Sequence, residues 1–214
     1  MGQHIVLEDA GVSLGGQTIL RGLSLRVSPG EVLGIAGPNG SGKTTLLRLL
    51  ATLIAPDAGS GFVLGARLGS PEVYGIRRDL GLMSHVPTVI GELTIEENLE
   101  HAARLAGEDL KRVGPALRVV GLDEAAGRRA DASSFGMLRR TETARLLITS
   151  PRLLYLDEAF SGLDVDAREL LDALIKRTVE GGGAVVMVSH DATHLGDRAQ
   201  RVLGLSAGRL ATVT

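Results

Sequence analysis

Residues 37–45 constrain this chain more than any other stretch. They read Gly-Pro-Asn-Gly-Ser-Gly-Lys-Thr-Thr, which carries the spacing Gly-x-x-x-x-Gly-Lys-Ser/Thr. The apolar run Val32-Leu33-Gly34-Ile35-Ala36 before it reads as a buried strand, and Leu46-Leu47-Arg48-Leu49-Leu50 after it reads as a helix. Strand, glycine loop and helix together predict a phosphate cradle made by Gly37, Pro38, Asn39, Gly40, Ser41, Gly42, Lys43, Thr44 and Thr45. Glycines let backbone N–H groups curl around phosphate oxygens with no Cβ in the way. The helix that begins there turns the positive end of its dipole toward the same anion. Lys43 is placed to reach the β- and γ-phosphates, and the Thr44 hydroxyl to bind Mg²⁺. The bland alternative is a glycine-rich turn that binds nothing. The flanks and the Lys-Thr pair weigh against it.

Composition sets the surroundings. The 214 residues suffice for one α/β domain with a small appendage, so residues 1–214 are expected to form a single unit. A formal net charge of −2 supplies no global field for nucleic acid, and none is expected as a partner. There is no cysteine, which excludes disulfides and thiolate metal sites. No N-terminal stretch resembles a signal peptide, and no apolar run approaches the ~20 residues that cross a bilayer. If a membrane process is served, another chain supplies the membrane part.

Read in order, the chain predicts an antiparallel flap beside the core. Residues 4–8, 18–20 and 23–27 read as strands, with Gly15-Gly16 a turn between them. Residues 56–59 read as a turn before a short strand at 61–64. Thr94 and Glu97 form a capping-box pattern ahead of a helix whose face carries Ile95, Leu99, Ala102, Ala103 and Ala106. Further helices are expected over 108–120 and 136–149, so about 92–150 reads as an inserted helical subdomain. Strands are expected at 80–83, 152–156 and 184–188, a helix over about 166–180, and two short strands around Ala207-Gly208.

Two more clusters carry chemistry. The apolar run Leu153–Leu156 ends in Asp157-Glu158. Asp157 would be the Mg²⁺ partner of Thr44, and Glu158 could polarise a water for attack on a γ-phosphate. A strand end with two solvated acids is the alternative, disfavoured by the loop upstream. His190 follows the buried run Val186-Met187-Val188-Ser189, and strand C-terminal ends gather at the ligand crevice of a parallel sheet. It could donate to a γ-phosphate oxygen.

With these motifs in hand, the sequence resembles the ATP-binding subunit of an ABC transporter. The loop 37–45, Asp157-Glu158, Ser161-Gly162-Leu163-Asp164 and His190 match that family's successive motifs in order, across essentially the whole chain. The family signature, usually Leu-Ser-Gly-Gly-Gln, falls on Ser133-Ser134-Phe135-Gly136-Met137. The resemblance implies an α/β fold: a P-loop NTPase core with a mostly parallel sheet, an N-terminal antiparallel β flap and the helical subdomain. It implies ATP and Mg²⁺ as ligands, with Lys43, Glu158 and the switch histidine His190 catalytic. It also implies that Ser134 and Gly136 contact the γ-phosphate held by a second copy, so that the site is complete only in a dimer. The partners implied are that second copy and integral membrane permease subunits bound near residues 85–100, on the inner face of the cell membrane.

Some positions depart from the family pattern. No aromatic precedes Phe62, so none stands at Leu14 to stack on adenine. His85 takes the place of the family's loop glutamine, Phe135 that of the first signature glycine, and Ala159 that of the proline after the catalytic glutamate. Phe160 stands where many relatives have threonine. Phe160, Asp164-Val165-Asp166 and the segments 84–87 and 92–99, in a chain expected to carry no regulatory extension, resemble the ATPase of the cytochrome c maturation heme exporter. ATPases of lipid, drug or polysaccharide exporters, soluble ABC proteins and a barely hydrolysing binding module are the competing expectations.

Overall fold

The computed structural model describes residues 2–212. The chain opens as a hairpin of β1 (Ile5–Leu14) and β2 (Gln17–Val27), turned at Gly15-Gly16. Strand β3 (Val32–Ala36) leads through the glycine loop into α1 (Lys43–Leu50), and β4 (Ala58–Val63) and β5 (Ala66–Arg67) follow. A short α2 (Val73–Ile76) precedes β6 (Leu80–Met83). Then come α3 (Ile95–Ala106), α4 (Val113–Val119) and α5 (Phe135–Thr149). The order closes with β7 (Leu153–Asp157), α6 (Val165–Glu180), β8 (Ala184–Ser189), α7 (Thr193–Gly196), β9 (Arg201–Ser206) and β10 (Arg209–Thr212).

Two sheets result. The first is antiparallel, ordered β2-β1-β4-β5. The second runs β10-β9-β3-β8-β7-β6; its pairs are parallel except for the terminal hairpin. Alternation along β7 shows why the second sheet is buried on both faces. Leu153 and Tyr155 point into a core shared with α1 and the antiparallel sheet, whereas Leu154 and Leu156 point to α6 and α7. The Tyr155 hydroxyl donates to the Leu50 carbonyl at 2.9 Å, tying β7 to the end of α1. The three inserted helices share a separate apolar cluster of residues such as Leu99, Ala103, Leu117 and Ile148.

Several boundaries differ from the sequence reading. The first strand runs on to Leu14, because pairing with β2 and β4 holds it past the apolar stretch. The two segments read as separate within 18–27 are one strand, which absorbs Gly22 at φ 61° in an irregular register. No separate turn stands at 56–59, since Ala58 already pairs with Gly11. The helix expected over 108–120 is α-helical only from Val113, so Pro115 falls in the first turn, where its missing N–H costs nothing. The Thr94–Glu97 capping box is formed on both sides, at 3.1 and 2.8 Å.

Candidate functional site

The site begins where β3 ends. Gly37 N–H donates to the Ser189 carbonyl at 3.2 Å, and a Cβ at Gly37 would collide with the Leu205 carbonyl and the Ser41 hydroxyl. Gly42 is the N-cap of α1 in the left-handed region (φ 106°), with no side chain on the first-turn N–H groups, which leaves them for a ligand. A side chain there would be strained and would press on Leu20. The buried Lys43 folds back over the loop, with Nζ donating to the carbonyls of Gly37 at 2.7 Å and Pro38 at 3.1 Å. The Ser41 hydroxyl is buried without a protein partner, while its carbonyl accepts from Gly208 N–H at 3.2 Å. The turn of the β9–β10 hairpin therefore braces the loop, a support the sequence reading did not foresee.

The carboxylates stand opposite. Thr44 Oγ1 donates to Asp157 Oδ2 at 2.9 Å. Burial pushes the Asp157 carboxyl up; the Thr44 hydrogen bond opposes this, and the charge of Glu158 adds to it. A buried acid hydrogen-bonded to a threonine hydroxyl at the wall of the cleft is a donor set suited to a hard cation carrying phosphate oxygens, so the residues present fit Mg²⁺. Glu158 sits at φ 51°, a strained left-handed position for a residue with a side chain. Its Oε2 accepts from Ser189 Oγ at 2.9 Å, and its Oε1 from His190 N–H at 2.6 Å and lies 2.9 Å from His190 Nδ1. Burial pushes this carboxyl up, but the bonds from the His190 ring, Ser189 and the His190 backbone outweigh it, and the net shift is downward.

These groups meet in a cleft of about 590 Å³, lined among others by Asn39, Gly40, Gly42, Lys43, Thr44, Thr45, His85, Asp157, Glu158, Ser161 and His190. Gly37, Pro38 and Ser41 lie behind the cradle and shape it rather than line the cleft. Leu14 is an exposed residue at the end of β1 and does not line it; Ile19 does, which the sequence reading passed over. Ser134 and Gly136 lie outside this chain's cleft, at the start of α5, where Ser134 Oγ accepts from Met137 N–H at 3.3 Å. Ser189, adjacent to an expected residue but given no role, grips Glu158; only the hydroxyl preceding His190 could have signalled it.

A second, mainly apolar groove of about 470 Å³ runs between the parallel sheet's β6 edge and the inserted helices, with Leu53, Leu82, Val89, Ile90 and Leu105 on its walls and Glu142 and Arg145 among them. Among the described residues no helix is long and apolar enough to cross a membrane.

Known proteins resemble this chain in sequence and in fold. The family model for ABC transporters matches residues 20–161. The chain is 37% identical over 217 residues to the Fe(3+) ions import ATP-binding protein FbpC 2 of Rhodococcus jostii (strain RHA1), covering 97% of this chain and 61% of that protein. It thus spans about three fifths of that relative's length. It is 35% identical over 186 residues to the cytochrome c biogenesis ATP-binding export protein CcmA 2 of Cupriavidus metallidurans (strain ATCC 43123 / DSM 2839 / NBRC 102507 / CH34), covering 85% and 87%. It superposes with TM-score 0.85 and 26% identity on a dimeric post-hydrolysis state of the ATP-binding cassette MJ0796 bound to ADP and Pi, covering 96% of each chain. The fold, the assembled cleft and these relatives agree: the chain belongs to the ABC transporter family, and the part it represents is the ATP-binding cassette, the family's ATPase domain.

Proposed function

We propose that this chain binds Mg²⁺-ATP in the 590 Å³ cleft, hydrolyses it against a second copy of itself, and powers an export-type transporter from the cytoplasmic face of the membrane. The observation that carries the reading is the convergence of Lys43, Thr44–Asp157 and the Glu158–Ser189–His190 cluster on one crevice. Lys43 exchanges the loop carbonyls of Gly37 and Pro38 for β- and γ-phosphate oxygens. Thr44 and Asp157 would hold Mg²⁺, which when bound neutralises charge on those oxygens. Glu158 takes the proton of the water that attacks the γ-phosphorus as the bond to ADP breaks. His190 turns from Glu158 to the γ-phosphate, which frees the carboxylate to act. His85 stands in the cleft where it can bond to the attacking water or the Mg²⁺ shell. Ser134 and Gly136 of one copy cover the γ-phosphate of the other, which accounts for their position outside their own cleft. Residues 1–214 act as one ATP-binding domain, with the helices of about 92–150 forming the part that closes on the second copy.

The apolar groove beside β6 fits a membrane-spanning partner, because its walls overlap the 85–100 segment and expose Leu53, Ile90 and Leu105. Heme export for cytochrome c assembly is the cargo reading favoured by the likeness to CcmA 2, whose length this chain nearly fills. Import is the second reading, favoured by the higher identity to FbpC 2. The test is purification of the tagged chain from membranes, with turnover measured in parallel. Heme-handling subunits are expected to copurify, and turnover is expected to vanish in Glu158→Gln. A substrate-binding import system among the copurified proteins overturns export, and a dimer with no membrane companion overturns the transporter reading.

A further inference from the structure

Two residues at family-atypical positions, Phe135 and His85, are far apart in sequence yet touch the same side chain. Arg139, on α5, is 1% exposed. Its guanidinium lies over the Phe135 ring, 5.2 Å from the centroid. Nη1 donates to the Ser84 carbonyl at 2.5 Å and to Glu142 Oε2 at 3.0 Å, and Nη2 donates to the His85 carbonyl. Glu142, one turn further along α5, is fully buried, and its Oε1 accepts from Thr88 N–H at 3.0 Å and from Thr88 Oγ1 at 3.1 Å. The segment 84–88 is therefore fastened to α5 at both ends, by the arginine at Ser84 and His85 and by the glutamate at Thr88. Between these anchors the His85 side chain faces the cleft.

A buried ion pair is a poor way to fill a core. Each charge loses its hydration, and apolar residues of the same volume often serve stability as well or better. What such a pair supplies is geometry: a planar fork and a two-oxygen acceptor fix backbone groups in direction as well as distance. Here every backbone group they fix belongs to the segment that carries His85.

We propose that Arg139 and Glu142 are a positioning pair for hydrolysis, clipping residues 84–88 to α5 so that His85 is presented to the Mg²⁺-ATP cleft in one orientation. The proposal rests on His85 acting in that cleft, as set out above. The pair never touches the reacting atoms and works through His85 alone. It also gives Phe135, at the face where a second copy would seat, a direct mechanical link to the nucleotide site, because the ring and the two carbonyls share one guanidinium.

The test is a cycle of substitutions in the full chain, read as kcat and KM for Mg²⁺-ATP beside the melting temperature. Arg139→Gln alone takes the hydrogen-bonded cation from the buried Glu142 and leaves it only the charge of Arg145, so a loss there would not separate positioning from stability. Arg139→Met/Glu142→Gln removes both charges together, and Thr88→Val removes only the hydroxyl arm. The double substitution is expected to lower kcat roughly tenfold with KM within about twofold, since a small misplacement of a positioned group reduces turnover more than binding. Thr88→Val is expected to lower it about two- to threefold. In the His85→Ala background neither change should lower kcat further, a non-additivity that loss of stability alone does not produce. Parental kcat in a folded Arg139→Met/Glu142→Gln, beside a slowed His85→Ala, overturns the clip and leaves the reading of His85 standing. Losses that multiply with His85→Ala overturn it too. Parental kcat in His85→Ala overturns both. If the double variant does not fold, the Thr88→Val and His85→Ala pair decides by the same criterion.

Discussion

Residues 37–45 and residues 84–88 border one cleft but are held there by different forces. The phosphate loop is shaped by its own backbone: a crowded Gly37, a left-handed Gly42, and a lysine that bonds to carbonyls five and six residues before it. The segment after β6 has no such local logic. Its carbonyls and its Thr88 are gripped by side chains 54 and 55 residues away on α5. A site can thus be self-contained on one wall and borrowed on the other. The borrowed wall is the one able to sense what happens to a distant helix.

The sharpest way to break this comparison is to substitute one residue from each wall. Lys43→Ala should lower turnover roughly 100-fold or more and weaken ATP binding with it, because a preorganised cation is lost where charge develops. His85→Ala should lower kcat only about tenfold and spare affinity, because it removes orientation rather than the cradle. Equal losses of kcat and affinity in the two variants would erase the distinction.

A subtler separation concerns Glu158. Its hydrogen bonds hold the carboxyl below its ordinary range despite burial, so the carboxylate form persists to lower pH. Ser189→Ala removes one of those bonds. The acid limb of the kcat–pH profile should then move to higher pH, with the rate at alkaline pH changed little. An unmoved limb in a folded variant contradicts the role given to Ser189.

Asp157 predicts the opposite slope. Burial raises its folded pKa above the unfolded value of about 3.9. The unfolded state therefore loses this proton first, and the ligand-free chain loses stability from this group as pH rises from that value through the folded pKa. Bound Mg²⁺ favours the ionised carboxylate and reverses the effect. The gain in melting temperature from saturating Mg²⁺-ATP should consequently be larger near neutral pH than near about pH 4, and Asp157→Asn should reduce that difference, the remainder belonging to the phosphate groups of ATP itself. The smallest effect is expected at the end of β1, off the cleft wall. Leu14→Tyr should tighten ATP binding by about tenfold at most, within the ~1–3 kcal/mol that base stacking supplies. No change in affinity would mean that Ile19, already on the cleft wall, marks the adenine position instead.

The phosphate loop, Asp157-Glu158 and His190 were legible in the sequence because each is a short motif at a strand end, and parallel strands bring their C-terminal ends together. The same pattern explains why the sheet was readable and the boundaries of β1, β2 and α4 were not. Apolar runs mark buried strands, whereas Leu14, Gly22 and Ala58 are held by pairing with partners no local window contains. His85 was visible as a residue out of pattern but not as a residue held in place. Ser189 and Ile19 gave no signal on their own.

By itself the sequence determined which groups share the cleft: the glycine loop with Lys43 and Thr44, the carboxylates Asp157 and Glu158 opposite them, and the strand–loop–helix order that shapes the loop. The reason is that those contacts lie within a few residues, or at strand ends whose neighbours the βα pattern dictates. Only the tertiary structure decided how the nucleotide site is connected to the rest of the molecule. The clip of Arg139 and Glu142 on 84–88, the grip of Ser189 on Glu158 and the brace of Gly208 on Ser41 are side-chain and backbone contacts between segments distant in the chain. They form because packing brings buried polar groups together, and a buried polar group left without a partner is costly.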